Sequence, residues 1–199
     1  MTIERNRHAG KALAIGAGLA LALVAAGAPT PAVAAERTGT TEVTIKTNID
    51  NVAFKVPTII PFVAAADGTL TGPSADATVI ENLSAYGLHV TNMKITGNQI
   101  WTIEASAKSG KAKNSIDFKV GPTAALQDAY AATQGSGIDL SHNANFDMGY
   151  QGIEGGSDKI KLSTSGNVAR VTRDILHVDA KGDQVAQITW TVEPGAHQS

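Results

Sequence analysis

Ser115-Ile116-Asp117-Phe118-Lys119-Val120 alternates polar and apolar side chains at every step. A strand turns successive side chains to opposite faces, so this pattern buries Ile116, Phe118 and Val120 and leaves their neighbours to water. The same period of two runs through Val43 and Ile45, through Val52, Phe54 and Val56, and through Phe146, Met148 and Tyr150. It returns in Ile160 and Leu162 and in Ile188, Trp190 and Val192. One apolar face per strand is the pattern of antiparallel strands lying on a shared core. Turn residues punctuate the runs at Asp67-Gly68, Gly72-Pro73, Gly97-Asn98, Ser109-Gly110, Gly155-Gly156, Ser165-Gly166-Asn167 and Lys181-Gly182-Asp183.

Within Leu88–Ile95 the alternation changes phase near Asn92. Leu88 and Val90 share one side and Met93 and Ile95 the other. That predicts a bulge or a strand that switches sheets. One stretch, Pro122–Ala132, reads as helix, because proline suits a first helical position and Leu126 meets Tyr130 one turn on. The expected fold is all-β: an antiparallel β-sandwich, jelly-roll or Ig-like, of about nine or ten strands with one short helix near 122–132.

The chain has 199 residues and no cysteine. That excludes a disulfide framework, a thiolate metal site, a cysteine nucleophile and a lipid-anchoring thiol. Arg5, Arg7 and Lys11 precede the uncharged run Ala12–Ala26, and Ala32-Val33-Ala34 follows Pro29 and Pro31. This is the pattern of a cleaved secretory signal over 1–34, leaving a single domain over 35–199. The apolar run would make a helix of about 22 Å, short of the ~30 Å hydrocarbon core, so no membrane attachment is expected after cleavage. The protein is therefore expected to be secreted and extracellular. The formal charge is −2; removing three bases and one acid with the signal leaves −4. Such a balance gives no bulk attraction for nucleic acid.

Catalytic signals are poor. His89, His142, His177 and His197 are scattered, without His-Glu-x-x-His spacing, and there is no Gly-x-Ser-x-Gly elbow. No enzyme, catalytic residue, cofactor or metal is expected. Asp139, Ser141, Asn143, Asn145 and Asp147 place oxygens at alternate positions, as a calcium loop does. Ala144 and Tyr150 stand where an EF-hand needs Gly and Glu, so a polar loop is the simpler reading. Lys108, Lys111 and Lys113 cluster after the Trp101 stretch. They read as a solvated hairpin tip, or as an electrostatic foothold for an anionic wall polymer such as teichoic acid.

The two tryptophans lie in matching segments, Trp101-Thr102-Ile103 and Trp190-Thr191-Val192. With Val56-Pro57 to Phe62 near the start, this layout resembles the WxL surface domain of Gram-positive bacteria. That family carries Trp-x-Leu in mid-domain and again near its C-terminus; Ile103 and Val192 stand where it has leucine. The resemblance implies non-covalent association with the cell wall, through peptidoglycan or another wall polymer, and assembly with other surface proteins. Trp101, Ile103, Trp190 and Val192 become candidate wall-binding residues, although the same alternation suits a core. Thr78-Val79-Ile80-Glu81-Asn82-Leu83-Ser84 is similar to strands of camelysin-like biofilm-fibre subunits, which implies self-association as an alternative.

Overall fold

The computed structural model describes residues 51–173 and 182–199. The secretory segment, the Val43–Ile45 alternation and His177 lie outside the described residues. Among the described residues thirteen strands, more than the nine or ten expected, follow in order: β1 (Phe54–Lys55), β2 (Val63–Ala64), β3 (Thr69–Thr71), β4 (Val79–Asn82), β5 (Leu88–Gly97), β6 (Thr102–Ile103) and β7 (Ser115–Gly121). Then come β8 (Gln127–Asp128), the helix α1 (Ala129–Thr133), β9 (Ile138–Asp139), β10 (Asp147–Met148), β11 (Lys159–Lys161), β12 (Ser163–Ala169) and β13 (Ala186–Pro194). They form three sheets, ordered β1-β4-β11, β10-β5-β13 with β9 also on β5, and β2-β3-β12-β7-β6 with β8 also on β7. The all-β sandwich class is the observed one.

All three sheets feed one core. Ile80 comes from β4, Val90, Met93 and Ile95 from β5, and Ile116, Phe118 and Val120 from β7, all buried. Phe62 packs its ring against Phe118 at 5.7 Å between centroids. The phase change in β5 is a bulge. Asn92 pairs with Thr191 but Val90 pairs with Val192, so Thr91 is the extra residue. The inserted residue returns Leu88 and Val90 to the same buried side as Met93 and Ile95. The strand keeps β13 as its neighbour throughout and does not change sheets.

Three local expectations need revision. Ser165-Gly166-Asn167 is the middle of β12, not a turn, and pairs with Lys119, Phe118 and Asp117 of β7. A Cβ on Gly166 would lie 2.4 Å from the Asp117 carbonyl oxygen, so glycine marks a close approach of backbones. Asn167 Nδ2 donates to Asp117 Oδ1 at 3.1 Å. The helix is confined to Ala129–Thr133, because Gln127 and Asp128 are drawn into the β7 ladder. Asp128 then caps it, its carboxylate accepting from Ala131 N at 3.1 Å. Finally, β6 pairs with β7 in parallel, against the antiparallel expectation. Glu104–Asn114 is therefore a crossover between parallel strands, not a hairpin tip.

The alternation of β4 also carries a polar residue inward. Asn82 follows Ile80 onto the buried face and is fully enclosed. Its amide nitrogen donates to Tyr86 O and Gly149 O, both at 2.7 Å, and its Oδ1 accepts from Ser84 N at 2.7 Å. Removing that side chain strands three backbone groups. Asn82→Ala is expected to cost about 3 kcal/mol of stability. The check is a urea titration, in which the midpoint falls while the slope is kept. A midpoint equal to the parent's would show that water replaces the amide without loss.

Candidate functional site

The Glu104–Asn114 crossover is braced from below. Ser115, fully buried at the start of β7, has its hydroxyl on Glu104 Oε2. The Arg170 guanidinium donates to Ala107 O, to Ala112 O at 2.7 Å and to Ser115 Oγ at 3.4 Å. It also lies 3.6 Å from Glu104 Oε2. Ala107 is fully buried, with its N–H on Asp117 Oδ2 at 2.6 Å. One cation thus gathers two carbonyls, a hydroxyl and a carboxylate.

Backbone strain collects at the same neck. Among the described residues, Asn114 and Arg170 are the non-glycine positions with positive φ, at 50° and 53°. Asparagine tolerates that region; for arginine it costs of order 1 kcal/mol. Asn114 N donates to Arg170 O at 3.1 Å, and Asn114 Oδ1 accepts from Thr172 N and Oγ at 2.9 and 3.0 Å. The strained pair closes the crossover on itself.

Above this base, Glu104, Ala105, Ser106, Ser109, Gly110 and Tyr130 line a shallow open depression. The Tyr130 ring, from α1, is 41% exposed, so it offers an aromatic surface beside small polar groups. Gly110 admits the Glu104 carboxylate; a Cβ there would meet its Oε2 at 2.0 Å. Lys108, Lys111 and Lys113 are all exposed on the same crossover. Among the described residues none has a carboxylate within salt-bridge distance.

The four tryptophan-motif residues do not come together as one exposed surface. Trp101 is 6% exposed and precedes β6 in a turn, where Asn98 Oδ1 accepts from its N–H at 3.0 Å. Its indole N–H donates to Asp183 Oδ2 at 2.9 Å. Val192 is also buried, opposite Val90, and Ile103 and Trp190 pack half-buried against the core. Their placement is that of packing residues. Of the alternating oxygens of 139–147, those of Asp139 and Asn143 are spent locally. Asp139 Oδ1 accepts from Ser141 N and Oγ at 2.9 and 2.6 Å, and Asn143 Oδ1 accepts from Asn145 N at 3.1 Å. No cluster of three metal-binding side chains occurs among the described residues.

One grouping escaped the sequence. His89 and His197 both meet Asp147, on Oδ1 and Oδ2, at 2.7 Å each. Burial works to raise the Asp147 carboxyl, but hydrogen bonds from the His197 ring, the His197 backbone and the His89 ring outweigh it. The group is held below the ordinary carboxylate range. Sequence spacing holds no signal for this, since the two histidines meet only when β5 and the segment after β13 come together.

Two outcomes follow for the tryptophans and the brace. Trp101→Ala should cost about 3 to 5 kcal/mol, and Trp190→Ala clearly less, in parallel denaturant titrations. Arg170→Ala should free the crossover, so that Lys-specific proteolysis cuts after Lys108, Lys111 or Lys113 faster than in the parent. Equal cutting rates would mean that Arg170 does not hold the loop.

No family model, curated protein or solved structure matches this chain.

Proposed function

We propose that this chain is an exported, non-catalytic surface module that associates non-covalently with an anionic wall polymer. The observation that carries the reading is the braced crossover, which holds three exposed lysines beside the Tyr130 depression. A repeating anionic glycan offers two chemistries to such a surface. Its charged groups meet the lysines, and its sugar faces lie against the aromatic ring. Rigidity matters here, because a preformed loop loses little entropy on binding. The secretory pattern over 1–34 and the likeness to the WxL domain support the location. In this reading the tryptophan motifs contribute the core that carries the surface.

A co-sedimentation assay with purified cell walls tests it. The protein should pellet with walls at low salt and leave them as ionic strength rises, because exposed charges are screened over about 8 Å at 0.15 M salt. Replacing Lys108, Lys111 and Lys113 with serine should abolish pelleting, and Tyr130→Ala should weaken it, with circular dichroism unchanged. Retention of the triple variant at the parent's level would remove the crossover from the binding surface.

The second reading, a self-associating fibre subunit, is favoured by β13. Among the described residues this nine-residue strand is hydrogen-bonded on one side only, to β5. An open edge of that length is a template for strand addition. Sedimentation of concentrated protein separates the two readings, since a fibre subunit grows with concentration in the absence of any wall.

A further inference from the structure

The segment Gly195–Gln198 doubles back after β13 and is held at four points. Gly195 N donates to Gly87 O at 2.9 Å, and Gln198 N donates to Ser141 O at 2.7 Å. His142 Nδ1 donates to Gln198 O at 3.0 Å. The fourth point is Asp147, which takes the His197 N–H on Oδ1 at 2.8 Å and the His197 ring on Oδ2 at 2.7 Å. The first three contacts are single hydrogen bonds between partly wet groups. The fourth involves a charge and two donors from one residue, and it is the strongest of them.

Asp147 also faces inward. His89, 2% exposed, meets Asp147 Oδ1 through Nδ1 and the Leu140 carbonyl through Nε2, at 2.7 and 2.9 Å. Both partners are acceptors, so satisfying both contacts takes a proton on each ring nitrogen. The Asp147 carboxylate is the anion that stands against this buried ring. The His197 ring lies 6.2 Å from the His89 ring, centroid to centroid. Two imidazoles therefore share a single anion, and each depends on it.

We propose that Asp147 is a proton-operated fastener of the segment Gly195–Gln198: ionised, it clasps His89 and His197 and holds the segment down; protonated, it lets go. Protonation cancels the charge and turns one carboxyl oxygen into a hydroxyl donor, so the group no longer serves both rings and the His197 N–H as an anionic acceptor. The other ionisable groups around the clasp do not replace it. Glu193 stands opposite His89 in the β13 ladder but is exposed, and Asp139 is engaged by Ser141. His142 reaches only the Gln198 carbonyl. Because the Asp147 carboxyl sits below the ordinary range in the folded chain, its contribution is complete above that range. It is lost as the pH falls through the lowered value. The fastener thus opens in acid and stays shut at neutrality.

Amide hydrogen exchange on the full chain, followed by NMR from neutrality into acid, reads the segment directly. The His197 and Gln198 amides should lose protection by about tenfold or more relative to the intrinsic rate as Asp147 protonates. The Ile116–Val120 amides of β7 should stay protected at the same pH. Asp147→Asn should release the segment at neutral pH and erase the acid step. Should that variant fail to fold, His197→Ala keeps the His89–Asp147 pair and should release Gln198 at every pH. Protection that survives in His197→Ala, an acid step that persists in Asp147→Asn, or simultaneous loss of β7 protection would each overturn the proposal.

Discussion

The bulge at Thr91 is the constraint from which much of the molecule follows. β5 must put Leu88, Val90, Met93 and Ile95 into one core although their spacing in sequence is odd across Asn92. One unpaired residue solves that problem and creates another, since it leaves a backbone carbonyl outside the β13 ladder. The Thr91 carbonyl accepts from Leu140 N at 2.8 Å. This fixes the 139–147 loop, whose Leu140 carbonyl in turn meets His89. A local device for hydrophobic registration therefore sets the position of a polar cluster.

The sequence was legible where side chains alternate strongly and silent where backbone geometry decides. Ile116, Phe118 and Val120 announced β7, and the phase slip at Asn92 announced the bulge. β12 was hidden because Ser163–Ala169 has small polar residues and a glycine at its centre, the composition of a turn. Only the approach of β7 to within contact of Gly166 explains that composition. The parallel sense of β6 was equally hidden, since a strand of two residues has no pattern from which direction can be read. Direction set the character of the lysine segment: a hairpin tip frays, whereas a crossover can be tied at both ends.

The tryptophans show how one pattern supports two roles until packing is known. Alternation put Trp101 and Trp190 on apolar faces, which suits either a core or a contact. The buried indole of Trp101, hydrogen-bonded to Asp183, decides for the core at that position. The lysines were visible as a cluster, but their support was not. Arg170 lies far along the chain from Lys108–Lys113, and nothing in its own neighbourhood marks it as the brace.

The ladder between β5 and β13 joins residues very distant in sequence, with Asn92 paired to Thr191, 99 positions further on. A chain that emerges from its N-terminal end must therefore hold β5 without that partner until residues 186–194 are free. Closing so long a loop is slow, because its entropy is spent before the ladder returns any binding. Until then the inward faces of β5 and β7 are exposed to whatever meets the nascent chain. The order of synthesis thus keeps this sandwich incomplete until residues 186–194 arrive, and its unfolded lifetime is written into its topology.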